Sequence, residues 1–265
     1  NGKTTSTLML DAILRAGGLE STAAGNVGAS LVDAVRRPEL QVIATEVSAT
    51  QMPFVTSMSP YSAACLNLAP DHVDFFGSME AYAHNKALVY RHTQVAAVYN
   101  VDDPVTEQMV VDADVVEGCR AIGFTLGIPG LSMLGVVDDI LVDRAFVSER
   151  ATSAQELCEV SDVPNASPAN VANALAAAAL ARSFGVSAGA VREGLRSFTP
   201  APHRITLVGE VGGVRFVDDS KATNTHAAST SLRAYDPVVW IAGGQAKGQS
   251  FDELVQLLAG RLRGV

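Results

Sequence analysis

Short apolar runs alternate with segments of helical periodicity along the first hundred residues. Strands are predicted at residues 41–46, 62–68 and 95–100, and helices at residues 6–14 and 78–92. This alternation is typical of an α/β fold in which a mainly parallel sheet carries helices on both faces. In such a sheet, ligand-binding groups are expected at the carboxyl ends of the strands.

The middle of the chain has a different pattern. Helical periodicity is lost between residues 115 and 147, where short apolar runs containing glycine predict a small antiparallel patch. Ser167 and Pro168 then supply an N-cap and a first-turn proline for a helix that runs to residue 181. A second helix is predicted at residues 187–198.

Two prolines mark a domain boundary. Thr199-Pro200-Ala201-Pro202 stops the preceding helix and stiffens the connection. We therefore expect one domain at residues 1–199 and another at residues 200–265. The second contains a predicted hairpin around Gly212-Gly213 and a strand at residues 237–242, which begin a Rossmann-like α/β unit. About 65 residues is short for a domain, so we expect its sheet to be incomplete.

The composition excludes two classes of partner. The net charge of −9 leaves no basic surface for nucleic acid or an anionic membrane. The longest apolar stretch, residues 171–181, is too short and too rich in alanine to span a bilayer. The three cysteines, Cys65, Cys119 and Cys158, match neither a metal-binding spacing nor a disulfide framework. Reduced thiols in a cytoplasmic protein are the preferred interpretation.

The chain opens with Asn1-Gly2-Lys3-Thr4-Thr5, which matches the second half of a P-loop. In a P-loop, backbone N–H groups at a helix start surround nucleotide phosphates, the lysine contacts them and the hydroxyl binds magnesium. A Gly-Lys-Thr tripeptide with a surface lysine also arises by chance. The first glycine of the loop would precede residue 1, so we expect this domain to be truncated at its N-terminus.

Acidic and basic side chains follow the predicted strands. Glu46 ends a strand where a P-loop protein places a magnesium-binding acid, although a surface acid is an equal alternative. Asp71-His72-Val73-Asp74 concentrates metal-ligand residue types after the next strand, or forms an ordinary polar loop. Lys86 lies within a predicted helix, where a solvated face is the ordinary interpretation of a lysine.

Three later segments are also rich in polar groups or glycine. Turn chemistry accounts for the polar residues before Pro104, namely Asn100, Asp102 and Asp103. Residues 218–224 form the densest polar cluster of the chain, after a strand and before a helix. Residues 243–248 join another strand to a helix, and glycines there allow the backbone to approach a ligand beside Lys247.

Together these segments resemble the motifs of the Mur ligase family, the ATP-dependent amide-forming enzymes of peptidoglycan precursor synthesis, and of their folylpolyglutamate synthetase relatives. The matches are residues 1–5 with G-T-N-G-K-T-T, 25–28 with G-N-I-G, 46–48 with E-x-S, 67–74 with N-x-x-x-D-H-x-D, and 203–204 with H-R. Residues 218–224 are similar to the D-S-K-A-T-N of the D-glutamate-adding members. Other members carry tyrosine or alanine-histidine motifs there.

The resemblance implies a role for each matched residue. ATP would be bound by Asn1, Gly2, Lys3, Thr4, Thr5, Asn170, Asn173, Arg204 and Asp219. Two magnesium ions would be held by Thr4, Glu46, His72 and a Lys86 carbamylated by carbon dioxide. The UDP-linked substrate would contact Asn26 and Ser48, and D-glutamate would contact Lys221, Thr223 and Lys247. The residues implied in catalysis are Lys3, His72 and Lys86.

The implied reaction is ATP-dependent amide formation by a cytoplasmic monomer, needed for cell-wall synthesis and hence for cell shape and division. The carboxylate of UDP-N-acetylmuramoyl-L-alanine would take up the γ-phosphate of ATP, and D-glutamate would then displace phosphate. Ala49, Thr50 and Ala246 depart from the family pattern, which bears on fine positioning of the substrates. Without the family's UDP-binding domain and the end of its C-terminal domain, this chain alone is expected to be inactive and to bind ATP weakly. The alternatives are a folylpolyglutamate-type ligase, a P-loop NTPase of another kind, and an inactive fragment or binding module.

Overall fold

The computed structural model describes residues 1–71, 73–246 and 249–265, without the side chains of residues 73 and 74. The described residues form two compact units, Asn1–Thr199 and Pro200–Val265. The helices of the first unit are α1 (Lys3–Ala16), α2 (Leu31–Ala34), α3 (Val73–Phe76), α4 (Met79–Ala87), α5 (Pro104–Val111), α6 (Pro168–Ser183) and α7 (Ala188–Ser197). Its strands are β1 (Ser21–Gly25), β2 (Val42–Glu46), β3 (Ser62–Cys65), β4 (Ala96–Asn100), β5 (Arg120–Phe124), β6 (Met133–Val137), β7 (Ile140–Asp143) and β8 (Gln155–Glu159).

The main sheet of the first unit has the strand order β3-β4-β5-β6-β7-β8. Strands β3 to β6 are parallel neighbours, whereas β7 and β8 pair antiparallel. The prediction of a mainly parallel sheet with a small antiparallel patch is confirmed. Its limits were wrong, because residues 120–124 pair in parallel with β4 and the antiparallel part extends to β8, where no strand was predicted. A short apolar run does not indicate the direction of the strand with which it pairs.

Strands β1 and β2 form a parallel pair that places Gly25 opposite Glu46. Gly25 has a φ of 103°, and a Cβ at this position would lie 2.3 Å from the Glu46 carbonyl oxygen. Only glycine allows both this conformation and this close approach. The pair therefore brings the turn after β1 directly beside the end of β2.

Helix α6 is buried on almost every side and forms the centre of the first unit. Residues 174–179 are all 0% exposed, and the helix packs against α1 and against strands β3, β4 and β5. Such a helix belongs in a core because residues 174–181 are all apolar and leave it no polar face along that stretch. The Ser167 hydroxyl accepts a hydrogen bond from Asn170 N at 3.3 Å, which confirms the predicted start of this helix.

Helix α1 reaches α7 through a very close backbone contact. A Cβ at Gly194 would lie 2.4 Å from Ile13 Cα and 2.7 Å from Ile13 N. The missing side chain of Gly194 is therefore what lets α7 lie so close to α1. Because α1 begins at Lys3, this contact also fixes the direction in which the helix presents its first turn.

A buried ion pair joins the end of α6 to β7. Arg182 Nε donates to Asp143 Oδ2 at 2.8 Å, and the two side chains are 13% and 0% exposed. Asp143 Oδ1 accepts from Ala145 N at 2.7 Å and from Phe146 N at 2.9 Å. The carboxylate is thus fully surrounded by donors, as a buried charge requires.

The second unit is small. Its elements are β9 (Thr206–Val211), β10 (Val214–Asp218), α8 (Thr225–Leu232), β11 (Val238–Val239), α9 (Asp252–Leu258) and β12 (Leu262–Gly264). Strands β9 and β10 form the predicted hairpin, while β11 pairs in parallel with β12. The strand predicted at residues 237–242 is shorter than expected: β11 comprises Val238 and Val239, and Trp240 N donates one further bond, to the Gly264 carbonyl oxygen at 2.9 Å.

Candidate active site

The start of α1 combines a glycine N-cap with a basic first turn. Gly2 is the N-cap with a φ of 84°, no side chain within the described ranges caps the helix, and its first turn contains no acidic residue. The first N–H groups of a helix lack internal partners and carry partial positive charge, which favours anions. Lys3 and Thr4 lie within this turn and add an ammonium group and a hydroxyl group. These features are those of a phosphate-binding site.

The side-chain amide of Asn67 pairs with the backbone immediately before Gly2. The amino-terminal nitrogen of Asn1 donates to Asn67 Oδ1 at 2.9 Å, and Asn67 Nδ2 donates to the Asn1 carbonyl oxygen at 3.1 Å. Asn67 lies two residues beyond the end of β3. The loop after β3 therefore lies against residues 1–5, the candidate phosphate-binding segment.

Glu46 is a buried acid at the carboxyl end of β2. It is 3% exposed, and its Oε1 accepts from Asn26 Nδ2 at 3.0 Å. Within the described part of the chain, its Oε2 is buried without a hydrogen-bond partner. A buried carboxylate oxygen in that state fits a cation, since burying an unpaired charge is costly. The surface-acid alternative for Glu46 is therefore wrong.

Lys86 lies on α4 beside an aromatic ring. Its Nζ is 5.4 Å from the centre of the Tyr82 ring, and the side chain is only partly accessible. Burial lowers the pKa of Lys86, and the charge of Lys3 lowers it further, while Cys65, Asp103 and Asp71 act in the opposite direction. A solvated helix face does not describe this lysine. The effect of the Lys3 charge on Lys86 indicates that Lys86 lies near the candidate phosphate-binding segment.

A buried tyrosine ties the end of α4 to the main sheet. Tyr90 is 0% exposed and lies in the 3-10 turn that follows α4. Its hydroxyl accepts from Cys65 N at 2.9 Å and donates to the Val98 carbonyl oxygen at 2.6 Å. This hydroxyl bridges β3 and β4 near their carboxyl ends and so fixes α4 relative to both strands.

The loop between β4 and α5 holds the loop after β3. Asn100 Nδ2 donates to the Leu66 carbonyl oxygen at 3.0 Å, and Leu68 N donates to Asp103 Oδ2 at 2.6 Å. Turn chemistry is only part of what Asn100 and Asp103 do, and sequence reasoning missed the rest. Asp102 is bound elsewhere, accepting from Thr125 Oγ1 at 2.8 Å.

The start of α6 also reaches the candidate phosphate-binding segment. The Asn173 side chain is 8% exposed, and Ser6 Oγ donates to its Oδ1 at 3.3 Å. A Cβ on Gly2 would lie 2.2 Å from Asn173 Oδ1. Asn170 lies one turn earlier and accepts from Asn173 Nδ2 at 3.4 Å. Of the two asparagines, Asn173 is the one placed directly beside Gly2.

Ser48 lies just beyond β2. The backbone N–H of Ser48 donates to Gln51 Oε1 at 2.9 Å. Its hydroxyl pairs with Thr50 Oγ1 at 2.8 Å. Thr50, one of the departures from the family pattern, thus contacts the predicted substrate-binding serine directly.

The second unit contains its own cluster of predicted site residues. Asp219 accepts from Ile205 N at 3.1 Å and from the Ser231 hydroxyl, and burial raises its pKa while Arg204 acts in the opposite direction. The neighbouring Asp218 is half-buried, and hydrogen bonds from Ser220 and His203 lower its pKa to about 2. Lys221 and Thr223 are exposed in the loop that leads to α8.

Two predicted site residues, His72 and Lys247, lie outside the described residues. In the described ranges, no group of three or more histidine, cysteine or acidic side chains is arranged to hold a metal ion. No helix within those ranges is long and apolar enough to cross a bilayer.

Comparisons with known sequences give a consistent result. The family model described as the Mur ligase middle domain matches residues 1–181. The whole chain is 62% identical to the UDP-N-acetylmuramoylalanine--D-glutamate ligase of Streptomyces coelicolor and covers 56% of that protein. It is 49% identical to the protein of the same name from Thermobifida fusca and covers 57% of it. The chain therefore spans little more than half the length of these relatives.

Solved structures show the same fold. A UDP-N-acetylmuramoyl-L-alanyl-D-glutamate--2,6-diaminopimelate ligase superposes with a TM-score of 0.70 at 19% identity, over 100% of this chain and 59% of that one. The MurF ligase from Thermotoga maritima in complex with ADP has a TM-score of 0.60 at 20% identity, over 88% and 54% of the two chains. At such identities the likeness concerns the fold alone.

Proposed function

This chain belongs to the Mur ligase family, and on that premise we propose that it provides the ATP-binding part of a ligase that adds D-glutamate to UDP-N-acetylmuramoyl-L-alanine. The observation that carries the proposal is the identity, along the whole chain, to relatives named as D-glutamate ligases. The D-D-S-K-A-T-N sequence of residues 218–224 supports the same member of the family. The proposal includes a cytoplasmic, monomeric protein acting in peptidoglycan precursor synthesis.

The nucleotide part of the proposal depends on the start of α1. The N–H groups of its first turn and Lys3 would bind the phosphates of ATP, together with the rest of residues 1–5. Asn170, Asn173, Arg204 and Asp219 would contact the remainder of the nucleotide. The contribution of these groups is electrostatic stabilisation and positioning, as in other phosphoryl transfers.

The residues present fit magnesium at one site in particular. Glu46 Oε2 is a buried carboxylate oxygen with no hydrogen-bond partner within the described ranges, and oxygen ligands of this kind are those that magnesium prefers. Glu46 and Thr4 would hold one ion, and His72 and Lys86 would hold or orient a second. When bound, the metal would supply positive charge against the phosphate oxygens. Asn26 would keep the Glu46 carboxylate in place through its bond to Oε1.

The setting of Lys86 suits carbamylation. Only a neutral amine attacks carbon dioxide, and burial lowers the pKa of Lys86, which increases the neutral fraction. The nitrogen would form a bond to the carbon of carbon dioxide and lose one proton to solvent, leaving an anionic carbamate. The carbamylated side chain has an anionic group with two oxygen ligands in place of the ammonium group. This accounts for a lysine near a proposed metal site. A carbonyl signal from ¹³C-labelled carbon dioxide, present in wild type and absent in Lys86→Arg, would test this modification.

Both substrates would meet residues outside the phosphate-binding segment. Asn26 and Ser48 would face the UDP-linked substrate, and Lys221, Thr223 and Lys247 would bind D-glutamate. A lysine and a hydroxyl group can pair with the side-chain carboxylate of glutamate. The muramoyl-alanine carboxylate would attack the γ-phosphate, releasing ADP, and the D-glutamate amine would then displace phosphate from the acyl phosphate.

The deciding experiment measures phosphate release by the full-length protein with ATP, magnesium and UDP-N-acetylmuramoyl-L-alanine, in the presence and absence of D-glutamate. We expect release to depend on D-glutamate and to yield the amide product. Release that is indifferent to D-glutamate would favour an NTPase of another kind. No release with bound ATP would favour a nucleotide-binding module without ligase activity.

A further inference from the structure

We propose that Asn67 is a positioning residue for ATP binding, which holds the phosphate-binding segment in place through the backbone of Asn1. The proposal rests on the proposed function, since it assumes that the start of α1 binds nucleotide phosphates. Asn67 contacts no phosphate itself in this proposal. It acts on the residue that precedes Gly2 and Lys3.

The contact between Asn67 and Asn1 is made at two points. The amide accepts from the Asn1 nitrogen at 2.9 Å and donates to the Asn1 carbonyl oxygen at 3.1 Å. Two hydrogen bonds to one residue, one through its nitrogen and one through its carbonyl oxygen, restrict both translation and rotation of that residue. The next residue, Gly2, is the N-cap of α1 with a left-handed φ of 84°. The position of Asn1 therefore constrains the backbone that leads into the first turn of α1.

Asn67 is itself held from both sides by the loop between β4 and α5. The carbonyl oxygen of Leu66 accepts from Asn100 Nδ2 at 3.0 Å, and Leu68 N donates to Asp103 Oδ2 at 2.6 Å. Asn100 is the last residue of β4, and Asp103 is the N-cap of α5. The backbone on each side of Asn67 is thus tied to elements whose positions are set by the main sheet.

These bonds form one chain of contacts from the main sheet to the candidate phosphate-binding segment. A displacement of about 1 Å at a reacting group can reduce a rate by about a hundredfold. Removing the Asn67 amide leaves β3, β4 and α1 with their own backbone bonds, so the fold should persist while the start of α1 becomes less well fixed. We therefore expect the affinity for ATP to decrease and the affinity for D-glutamate to stay the same.

The test compares wild type with Asn67→Ala and Asn67→Asp in the full-length protein. The aspartate variant keeps an acceptor for Asn1 N but lacks the donor to the Asn1 carbonyl oxygen. We expect both variants to raise the KM for ATP and the dissociation constant for Mg·ATP by about tenfold, from the typical value of one or two hydrogen bonds. The KM for D-glutamate should stay within about twofold of wild type.

Gln94→Ala is the matched control, because Gln94 also donates its amide to a backbone carbonyl, that of Ser59 at 2.9 Å, just before the opposite end of β4. It should leave both KM values unchanged. Unchanged ATP affinity in both Asn67 variants, with wild type binding ATP normally, would overturn this inference and leave the proposed function standing. A parallel rise in both KM values would overturn it as well, since that is the mark of a general loss of structure. If wild type bound no ATP, the proposed function would fall, and this inference with it.

Discussion

The contact between α7 and α1 can be tested by adding a single methyl group. Gly194→Ala would place a Cβ 2.4 Å from Ile13 Cα. Carbon atoms pack at about 3.5–4.0 Å, so the two helices would have to separate by about 1 Å at this point. Because Ile13 Cα and N are backbone atoms, no change of rotamer relieves the clash.

The expected cost of this overpacking is about 1–3 kcal/mol in the free energy of unfolding. Alanine also favours a helix over glycine by about 1 kcal/mol, which offsets part of that cost. Gly189→Ala is the matched control, because Gly189 lies in the same helix and its Cβ would have only Ser187 Oγ as a neighbour, at 4.0 Å. The helix propensity largely cancels between the two variants, so their difference should be about 1–3 kcal/mol.

Urea-induced unfolding of both variants measures this difference, and thermal unfolding should show a gap of about 2–4 °C for each kcal/mol. Because α1 begins at Lys3, Gly194→Ala should also raise the KM for ATP. Equal stability of the Gly194→Ala and Gly189→Ala proteins would refute the argument that the missing side chain of Gly194 determines how closely the helices approach.

Three further predictions concern buried polar groups. Lys86→Met should abolish ligase activity yet raise the melting temperature in buffer free of carbon dioxide, because burial of the ammonium group lowers its pKa in the folded state. The increase in stability of Lys86→Met over wild type should be greatest at pH values below that lowered pKa. It should shrink as the pH rises toward 10.5, where Lys86 of the unfolded wild-type chain also loses its proton. Tyr90→Phe should reduce the unfolding free energy by about 1–3 kcal/mol, since two backbone groups lose their partner; Tyr61→Phe, on a ring 44% exposed, should change it little. Arg182→Met should cost about 3–5 kcal/mol by leaving its carboxylate partner buried, whereas Arg196→Met should cost about 1 kcal/mol or less, because Arg196 is 54% exposed.

Denaturant unfolding and melting curves distinguish these outcomes. A lower melting temperature for Lys86→Met at neutral pH would contradict a destabilising buried ammonium group. Equal costs for Tyr90→Phe and Tyr61→Phe would contradict the structural role of the Tyr90 hydroxyl. Equal costs for the two arginine variants would show that burial does not decide the value of these ion pairs.

Much of the fold could be predicted from local patterns. The Ser167-Pro168 start of α6 depends on a cap and a first-turn proline, which are signals contained within a few residues. The direction of β5 and the existence of β8 depend on partners far along the chain. A short apolar run does not indicate which distant strand it pairs with or in which direction. The predicted limits of the antiparallel patch were wrong for that reason.

The candidate site shows the same division. Glu46 was expected at the end of a strand, because the carboxyl ends of parallel strands are where ligand groups gather. The environment of Lys86 could not be predicted, since it depends on the Tyr82 ring and on charged residues distant in the sequence, such as Lys3 and Asp103. Turn chemistry explained Asn100 and Asp103 adequately, so nothing in the sequence indicated their bonds to residues more than thirty positions away.

The burial of α6 has a consequence for how this protein can vary. Each alanine of residues 174–179 is fully buried, so a larger side chain there would have to displace closely packed neighbours. Substitutions along this helix are therefore constrained at consecutive positions, whereas most helices tolerate change on at least one face. Asn170 and Asn173, at the start of α6, lie on the same helix as these fully buried positions. Evolutionary change or protein engineering that alters the choice of substrate should therefore accumulate in the loops after the strands and leave this helix almost unaltered.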